Sequence, residues 1–273
     1  MPSLSLSALC TTYHGDDPAE LSQSLCSIRN QTRPPDELVL VKDGPVPEVI
    51  NNVIRDVLGP TEFPVEVVSL PRNRGHGAAL REAVKNATKD IVAIHDADDI
   101  CIPERFETQL AFLDETGADV VGGYIAEFED NPGDPHAIRE VPVEHESITA
   151  MAKFRCPMNQ TTVSARRESI VDAGNYRPVD RMEDYELWAR MIQSDYEFRN
   201  QAKVLVKVRG GTNMYSRRGG LEYAREEIRL QKDFYDIGFI SAPRALSNAM
   251  IRTVPRLLPN RIRGQLYQRF LRA

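Results

Sequence analysis

From Leu4 to Val120 the chain alternates short apolar runs with segments in which apolar residues recur every three or four positions. The runs read as strands and the periodic segments as amphipathic helices, and their alternation predicts a parallel sheet covered by helices. LSLSALC, residues 4–10, is the first strand. Asp17, Pro18 and Glu20 then supply a cap, a first-turn proline and an acidic first turn to a helix with Leu21, Leu25 and Ile28 on one face. ELVLVKDG, residues 37–44, is the second strand, and Val49, Ile50, Val53, Ile54 and Val57 line a second helix that Gly59 can close. VEVVSL, residues 65–70, is the third strand; Leu80, Ala83, Val84 and Ala87 mark a third helix; IVAIH, residues 91–95, is the fourth strand.

The second half is less regular. DVVGGYIAEF, residues 119–128, reads as a strand, residues 129–136 as a loop, residues 144–153 as a short helix and TTVSA, residues 161–165, as a strand. Residues 184–193 form a helix with Leu187, Trp188 and Met191 on its apolar side. No tandem repeat or low-complexity segment intervenes, so residues 1–236 read as one fused unit.

The 273 residues, 41% hydrophobic, suffice for a substantial core. The formal charge of −6 is unevenly spread, because no acidic residue follows Asp236 while seven arginines do, giving the tail +7 and the rest −13. Such a body avoids polyanions, and no nucleic-acid partner is expected. In the tail, residues 237–273, Ile262, Leu266 and Phe270 with Tyr267 and Leu271 fall on one helical face among Arg261, Arg263, Arg269 and Arg272. Pro255 and Pro259 are expected to break it into short pieces. This basic amphipathic tail either lies on an anionic membrane or packs on the acidic body. Cys10, Cys26, Cys101 and Cys156 form no paired motif, which points to a reducing compartment. With neither a signal-like start nor an apolar run of about 18 residues, the expected location is the cytoplasm, or the inner face of the plasma membrane through the tail.

The fourth strand runs directly into DADD, which sets Asp96, Asp98 and Asp99 within four positions. Carboxylates this close repel and lose hydration near an interior, so a compensating cation is one reading. The other is an acidic turn that caps a helix opened by Pro103 and Glu104. In open α/β sheets ligands bind outside the carboxyl ends of strands. Three such ends carry unusual chemistry here: Thr11, Thr12 and Tyr13; Lys42 and Asp43; and the acidic cluster. In PRNRGHG, residues 71–77, Gly75 and Gly77 let the backbone approach a ligand closely or simply supply a turn. His76, with no partner nearby in sequence, reads as a loop residue.

SALCTTYH, SIRNQTRPPDELVLVKDG, PRNRGHGAAL, AIHDADDICIPERF, ARRESIVDAGNYRP and MEDYELWARM follow one another in a set order. In this the chain resembles the family 2 glycosyltransferases over about residues 4–235, and VKDGPV, VVGGYIAEFED and NMYSRRGGLEY resemble the branch that builds bacterial or archaeal surface polysaccharides. The resemblance implies the GT-A fold, a Rossmann-like α/β architecture whose mixed, mostly parallel sheet is flanked by helices. It also implies a nucleotide-binding half of about residues 1–127 and an acceptor half of about 128–236. The implied activity is transfer, with inversion, of a hexose-type sugar from a nucleotide donor, UDP-linked, to a saccharide or lipid-linked acceptor.

By the same resemblance Thr11 and Tyr13 face the nucleobase, Asp43 hydrogen-bonds it, Arg74 approaches base or diphosphate, and Asp96 faces the ribose. Lys42 stands where many members carry a second Asp. Asp98 holds Mg²⁺ or Mn²⁺ against the diphosphate, with Asp99 left to cap the next helix. Asp184 is the implied catalytic base and Glu183 its substitute; the other reading of Asp184 is a helix cap alone. Trp188 stacks on acceptor sugar or lies in the core, Asn159 is a candidate on the acceptor side, and Arg217 and Arg218 close over the diphosphate or form a surface turn. Two other readings remain at this point. A sugar-nucleotide nucleotidyltransferase would carry a glycine-rich basic loop after the first strand, where this chain has CTTYHGDD. A non-catalytic nucleotide-sugar-binding protein would have no need of Asp98 and Asp184 together.

Overall fold

The structure, a computed structural model, describes residues 4–177, 179, 181–210 and 220–257, with side chains up to Thr253. The chain divides into two compact units, Met1–Arg209 and Gly210–Ala273. In the first, β1 (Leu6–Thr12), α1 (Pro18–Arg29), β2 (Glu37–Lys42), α2 (Glu48–Leu58), β3 (Val65–Ser69), α3 (His76–Asn86) and β4 (Ile91–His95) follow the predicted alternation. Then come β5 (Ile100–Cys101), α4 (Arg105–Thr116), β6 (Val120–Phe128), β7 (Ala137–Arg139), α5 (His145–Ala152), β8 (Ser164–Arg166), α6 (Arg167–Asp172), α7 (Glu183–Gln193) and β9 (Phe198–Arg209).

The strands form one mixed sheet in the order β3-β2-β1-β4-β8-β6-β9-β5, with β7 paired to β6. β1 to β4 are mutually parallel; β8 runs antiparallel to both β4 and β6, and β9 is parallel to β6. The chain moves outward from β1 through β2 to β3, then returns through α3 to β4 on the other side of β1. That reversal opens a crevice at the carboxyl ends of β1 and β4, the standard ligand position of such sheets.

Local sequence explains the first helix: the Asp17 carboxylate accepts from the backbone N–H groups of Ala19 at 2.8 Å and Glu20 at 3.1 Å. One face of the sheet is sealed by Leu21, Leu25 and Ile28 of α1, Ile50 and Ile54 of α2, and Phe106 and Leu113 of α4, packed on Leu6, Ala8, Leu38 and Ile91. α3 packs on β1 and β2. Two strands depart from the sequence reading: β7 starts where a loop was expected to end, and β9, twelve residues long, was not anticipated. Arg199, Gln201, Lys203 and Lys207 interrupt the apolar content of β9, which becomes a strand by pairing with β6 from Phe198 to Arg209, with two register shifts on the way.

Arg105 is wholly buried beneath the end of β4. Its guanidinium donates to the carbonyl of Ile94 at 2.8 Å, to Gln109 at 2.9 Å, and to His95 Nδ1 and Cys101 Sγ at 3.3 Å. Burial and the Arg105 charge push the His95 imidazole down to about 3, so the ring is neutral, its Nε2 3.1 Å from the carbonyl of Asp99.

The second unit contains the helices Leu221–Asp236 and Ala242–Leu257. Arg252 lies 3.0 Å from the buried carboxylate of Glu227, and Asn248 donates to Gln231 at 2.9 Å. The later helix continues through position 255, where a break was expected, since one proline removes a single rung of the backbone ladder. The amphipathic segment expected over residues 261–272, Pro259, and Arg217 with Arg218 all lie outside the described residues. Among the described residues no helix is long and apolar enough to cross a membrane.

Replacing Arg105 by Met would leave the Ile94 carbonyl without its buried donor. Arg105→Met is expected to cost on the order of 3 kcal/mol, measured as a lower urea midpoint at unchanged slope.

Candidate active site

The crevice gathers residues from five strand or helix ends. At the end of β1, Thr11 and Thr12 are buried and Tyr13 is exposed; the Thr12 hydroxyl donates to Asp16 at 2.8 Å, as does the Tyr13 N–H at 3.0 Å. At the end of β2, Asp43 is buried and accepts from the backbone N–H groups of Arg74 at 2.7 Å and Gly75 at 2.9 Å. Asp43 thereby shapes the loop that precedes α3. Gly44, at φ 89°, could not carry a side chain there, because a Cβ would stand 2.6 Å from the Asn73 nitrogen. Arg74 is exposed, and Lys42 is turned to Asn51 at 3.2 Å.

The three carboxylates after β4 occupy three environments. Asp98 is exposed, Asp96 is partly buried and Asp99 is buried. Asp99 accepts from the Arg209 N–H at 3.2 Å, and α4 begins only at Arg105, so the expected capping role of Asp99 is not found. Burial pushes the Asp99 carboxyl well above the usual range, and Asp96 and Asp98 push it further. Burial also raises Asp96; His76 opposes that rise while Asp98 and Asp184 add to it. Asp16 and Glu20, both raised by burial, feel the Asp98 charge as well. One buried oxygen of Asp96, Oδ1, accepts no hydrogen bond among the described residues.

The carboxylates after β4 offer oxygen ligands of the kind a hard divalent cation takes. Among the described residues no three His, Cys, Asp or Glu side chains form a cage. A cation held here would need oxygen ligands beyond these side chains.

α7 delivers Glu183 and Asp184 to the same crevice. Its cap is Met182 in the left-handed region at φ 60°, a strained conformation for a residue with a side chain, next to the acidic pair. Glu183 is buried, and burial pushes its carboxyl up to about 7. Asp184 is more open, and the thiol of Cys156 donates to its Oδ2 at 3.6 Å. The buried hydroxyl of Tyr176 has no hydrogen-bond partner among the described residues, and the charges of Asp184, Glu183 and Asp96 all bear on it.

His76 departs most from the sequence reading. It is the first residue of α3, and its ring lies 3.1 Å from the Thr11 hydroxyl, 3.6 Å from Asp96 Oδ1 and 3.9 Å from Glu183 Oε1. Its neighbours are remote in sequence, so no local pattern signals them. Trp188 is core, with its ring edge-on to those of Tyr176 and Phe198. Asn159 is buried too, donating to the Gly123 carbonyl at 2.8 Å.

The mixed, mostly parallel sheet flanked by helices is consistent with the GT-A fold that the resemblance implied. The family model described as "Glycosyl transferase family 2" matches residues 7–175. The chain belongs to that family and is a glycosyltransferase. It is 35% identical over 97% of its length to 96% of an Escherichia coli protein, the UDP-Gal:alpha-D-GlcNAc-diphosphoundecaprenol beta-1,3-galactosyltransferase. It is 34% identical over 96% of its length to 98% of the amylovoran biosynthesis glycosyltransferase AmsE of Erwinia amylovora. Among solved structures, S. aureus TarS 1-349 in complex with UDP-GlcNAc superimposes with a TM-score of 0.67 at 18% identity, covering 98% of this chain and 76% of that one. The mannosyltransferase PcManGT from Pyrobaculum calidifontis, in complex with GDP-Man and Mn2+, gives 0.63 at 16% identity over 98% and 82%. The last two likenesses concern the fold.

The raised carboxyl of Glu183 has a stability consequence. The folded state holds its proton from the ordinary 4.5 up to about 7, so Glu183 costs stability progressively as pH rises through that window. Glu183→Gln removes the cost. Its gain in melting temperature over the parent is expected to grow between roughly pH 5 and 7 and then level off; a pH-independent difference would contradict the assignment.

Proposed function

We propose that this chain transfers a sugar from a UDP-sugar to a saccharide or lipid-linked acceptor, with inversion, during assembly of a surface polysaccharide, and that it uses Mg²⁺ or Mn²⁺. The observation that best supports this is the meeting of Asp96 and Asp98 with Glu183 and Asp184 in one crevice at the β1–β4 reversal. The lipid-diphosphate acceptor named for the E. coli relative and the Mn2+ named with PcManGT point the same way.

In this reading Thr11, Tyr13, Asp43 and Arg74 hold the nucleoside and Asp96 its ribose. Asp43 acts partly through the loop it fixes, and each carboxylate oxygen keeps a lone pair for a base N–H. Asp98 holds the cation, which when bound neutralises charge on the departing diphosphate. Asp184 takes the proton of the acceptor hydroxyl as that oxygen attacks the anomeric carbon. The bond from that carbon to the diphosphate oxygen breaks, UDP leaves with the electron pair, and the single displacement inverts the centre. Because the Cys156 thiol engages Oδ2, Oδ1 of Asp184 remains for the acceptor.

A panel of labelled UDP-sugars, scored for transfer and donor hydrolysis, tests the proposal. Asp184→Asn is expected to bind UDP as the parent does while transfer falls roughly 10²-fold or more, and Asp98→Ala to lose stimulation by Mn²⁺. Near-parental transfer by Asp184→Asn together with loss in Glu183→Gln would make Glu183 the base.

The acceptor chemistry and the +7 of residues 237–273 together support peripheral contact with the inner face of the plasma membrane from the cytoplasm. Sedimentation with anionic vesicles is expected to exceed that with neutral ones and to weaken with salt. A chain ending at Ile240 should lose it; equal sedimentation of the two chains excludes the contact.

A further inference from the structure

We propose that His76 is a positioning residue for the transfer, holding the acceptor-side Glu183 in register with the donor-side Asp96. The inference rests on the transfer reading above and adds to it a residue that Asp98 and Asp184 do not explain.

Three observations carry it. First, the imidazole is anchored at one nitrogen and aimed with the other: Nδ1 lies 3.1 Å from the Thr11 hydroxyl, while Nε2 lies between Asp96 Oδ1 at 3.6 Å and Glu183 Oε1 at 3.9 Å. Ionised carboxylates only accept, so the bridge calls for the proton on Nε2, with the Thr11 hydroxyl then donating to Nδ1. Each gap exceeds a hydrogen bond by about half an ångström or a little more, and such contacts commonly tighten only when substrate is bound.

Second, Asp96 Oδ1 is buried and accepts no hydrogen bond among the described residues, so a donor on that side is wanted.

Third, the backbone around His76 is fitted to Glu183. Gly75 stands at φ 89°, which turns the chain into α3. A Cβ on Gly77 would come within 2.9 Å of Glu183 Cβ and 3.2 Å of the Arg177 carbonyl. The first turn of α3 and the first residue of α7 are thus docked with no space for a methyl group. His76 reaches from this contact to β1 and to the end of β4. Gln160 borders the ring on the remaining side, its amide nitrogen 3.4 Å from Nε2; an Nε2–H turned to the carboxylates requires that amide to rotate and present its oxygen instead.

The two ring nitrogens make separable claims. Glutamine carries an N–H near the place of Nε2, asparagine one near that of Nδ1, and leucine neither. If the bridge to Asp96 and Glu183 is what matters, His76→Gln retains transfer within about threefold. His76→Asn and His76→Leu then lose up to about 10²-fold in kcat, the scale of a misplacement near 1 Å. UDP affinity should fall less than kcat in all three, since His76 touches Thr11 and Asp96 rather than the nucleoside itself. Rescue by Asn and not Gln, or a loss of UDP affinity at unchanged kcat, would overturn the proposal and leave His76 as a support for Thr11 alone. Melting temperatures of His76→Leu, Glu183→Gln and the double variant supply a second readout that needs no activity. Non-additive shifts are expected for side chains in contact, and additive ones would sink the bridge. Absence of transfer by the parent with every UDP-sugar would refute the function proposed above, and the melting cycle would still decide the role of His76.

Discussion

The arrangement of this site turns on the mutual repulsion of the carboxylates at the end of β4. Asp96, Asp98 and Asp99 are held within four positions, and two of them are withdrawn from water far enough that burial lifts their proton affinity. Such a cluster persists only where neighbouring groups offset it. From behind, the wholly buried Arg105 supplies a positive charge whose hydrogen bonds go to carbonyls, Gln109 and neutral His95. From the front, the His76 ring faces Asp96. The outermost carboxylate, Asp98, is left to solvent.

Placing those offsets requires the whole first unit. Arg105 reaches the end of β4 because the chain turns back through the two-residue β5 before α4 begins, and β5 is held in the sheet by pairing with β9. The same distant strand supplies the Arg209 N–H to Asp99. Glu183 and Asp184 reach the crevice because β8 and α6 return the chain alongside β4. The strain at Met182 marks the point where this second half is brought to bear on the first. Within the first unit the start of α3 and the start of α7 touch at Gly77 and Glu183 with no space between them.

Much of this was legible along the chain. Apolar runs and period-3.6 patterns from Leu4 to His95 match four strands and three helices, because there most elements bury their own apolar residues and answer to them; β3, whose residues are exposed or partly so, is held by pairing with β2. Asp17 capping α1 is equally local, since the two N–H groups it satisfies are two and three residues away. The acidic cluster was conspicuous because all three of its members are neighbours in sequence. β9 was not legible, with polar residues breaking its pattern and β6 the strand that makes it one. Asp99 was misread for the same reason: the N–H it accepts from belongs to Arg209, 110 positions away.

The sequence by itself determined the fold class, the family and the types of residue at each strand end, because these depend on hydrophobic period and on motifs spanning a few positions. Only the tertiary structure decided which groups face one another. It turned His76 from a loop residue into the group between Asp96 and Glu183, put Trp188 and Asn159 into the interior, and gave Asp184 a thiol partner in Cys156. The physical reason is that burial and charge act through space: a carboxylate's proton affinity and a ring's partners depend on what lies within a few ångströms, and here those neighbours come from elements as much as a hundred residues apart.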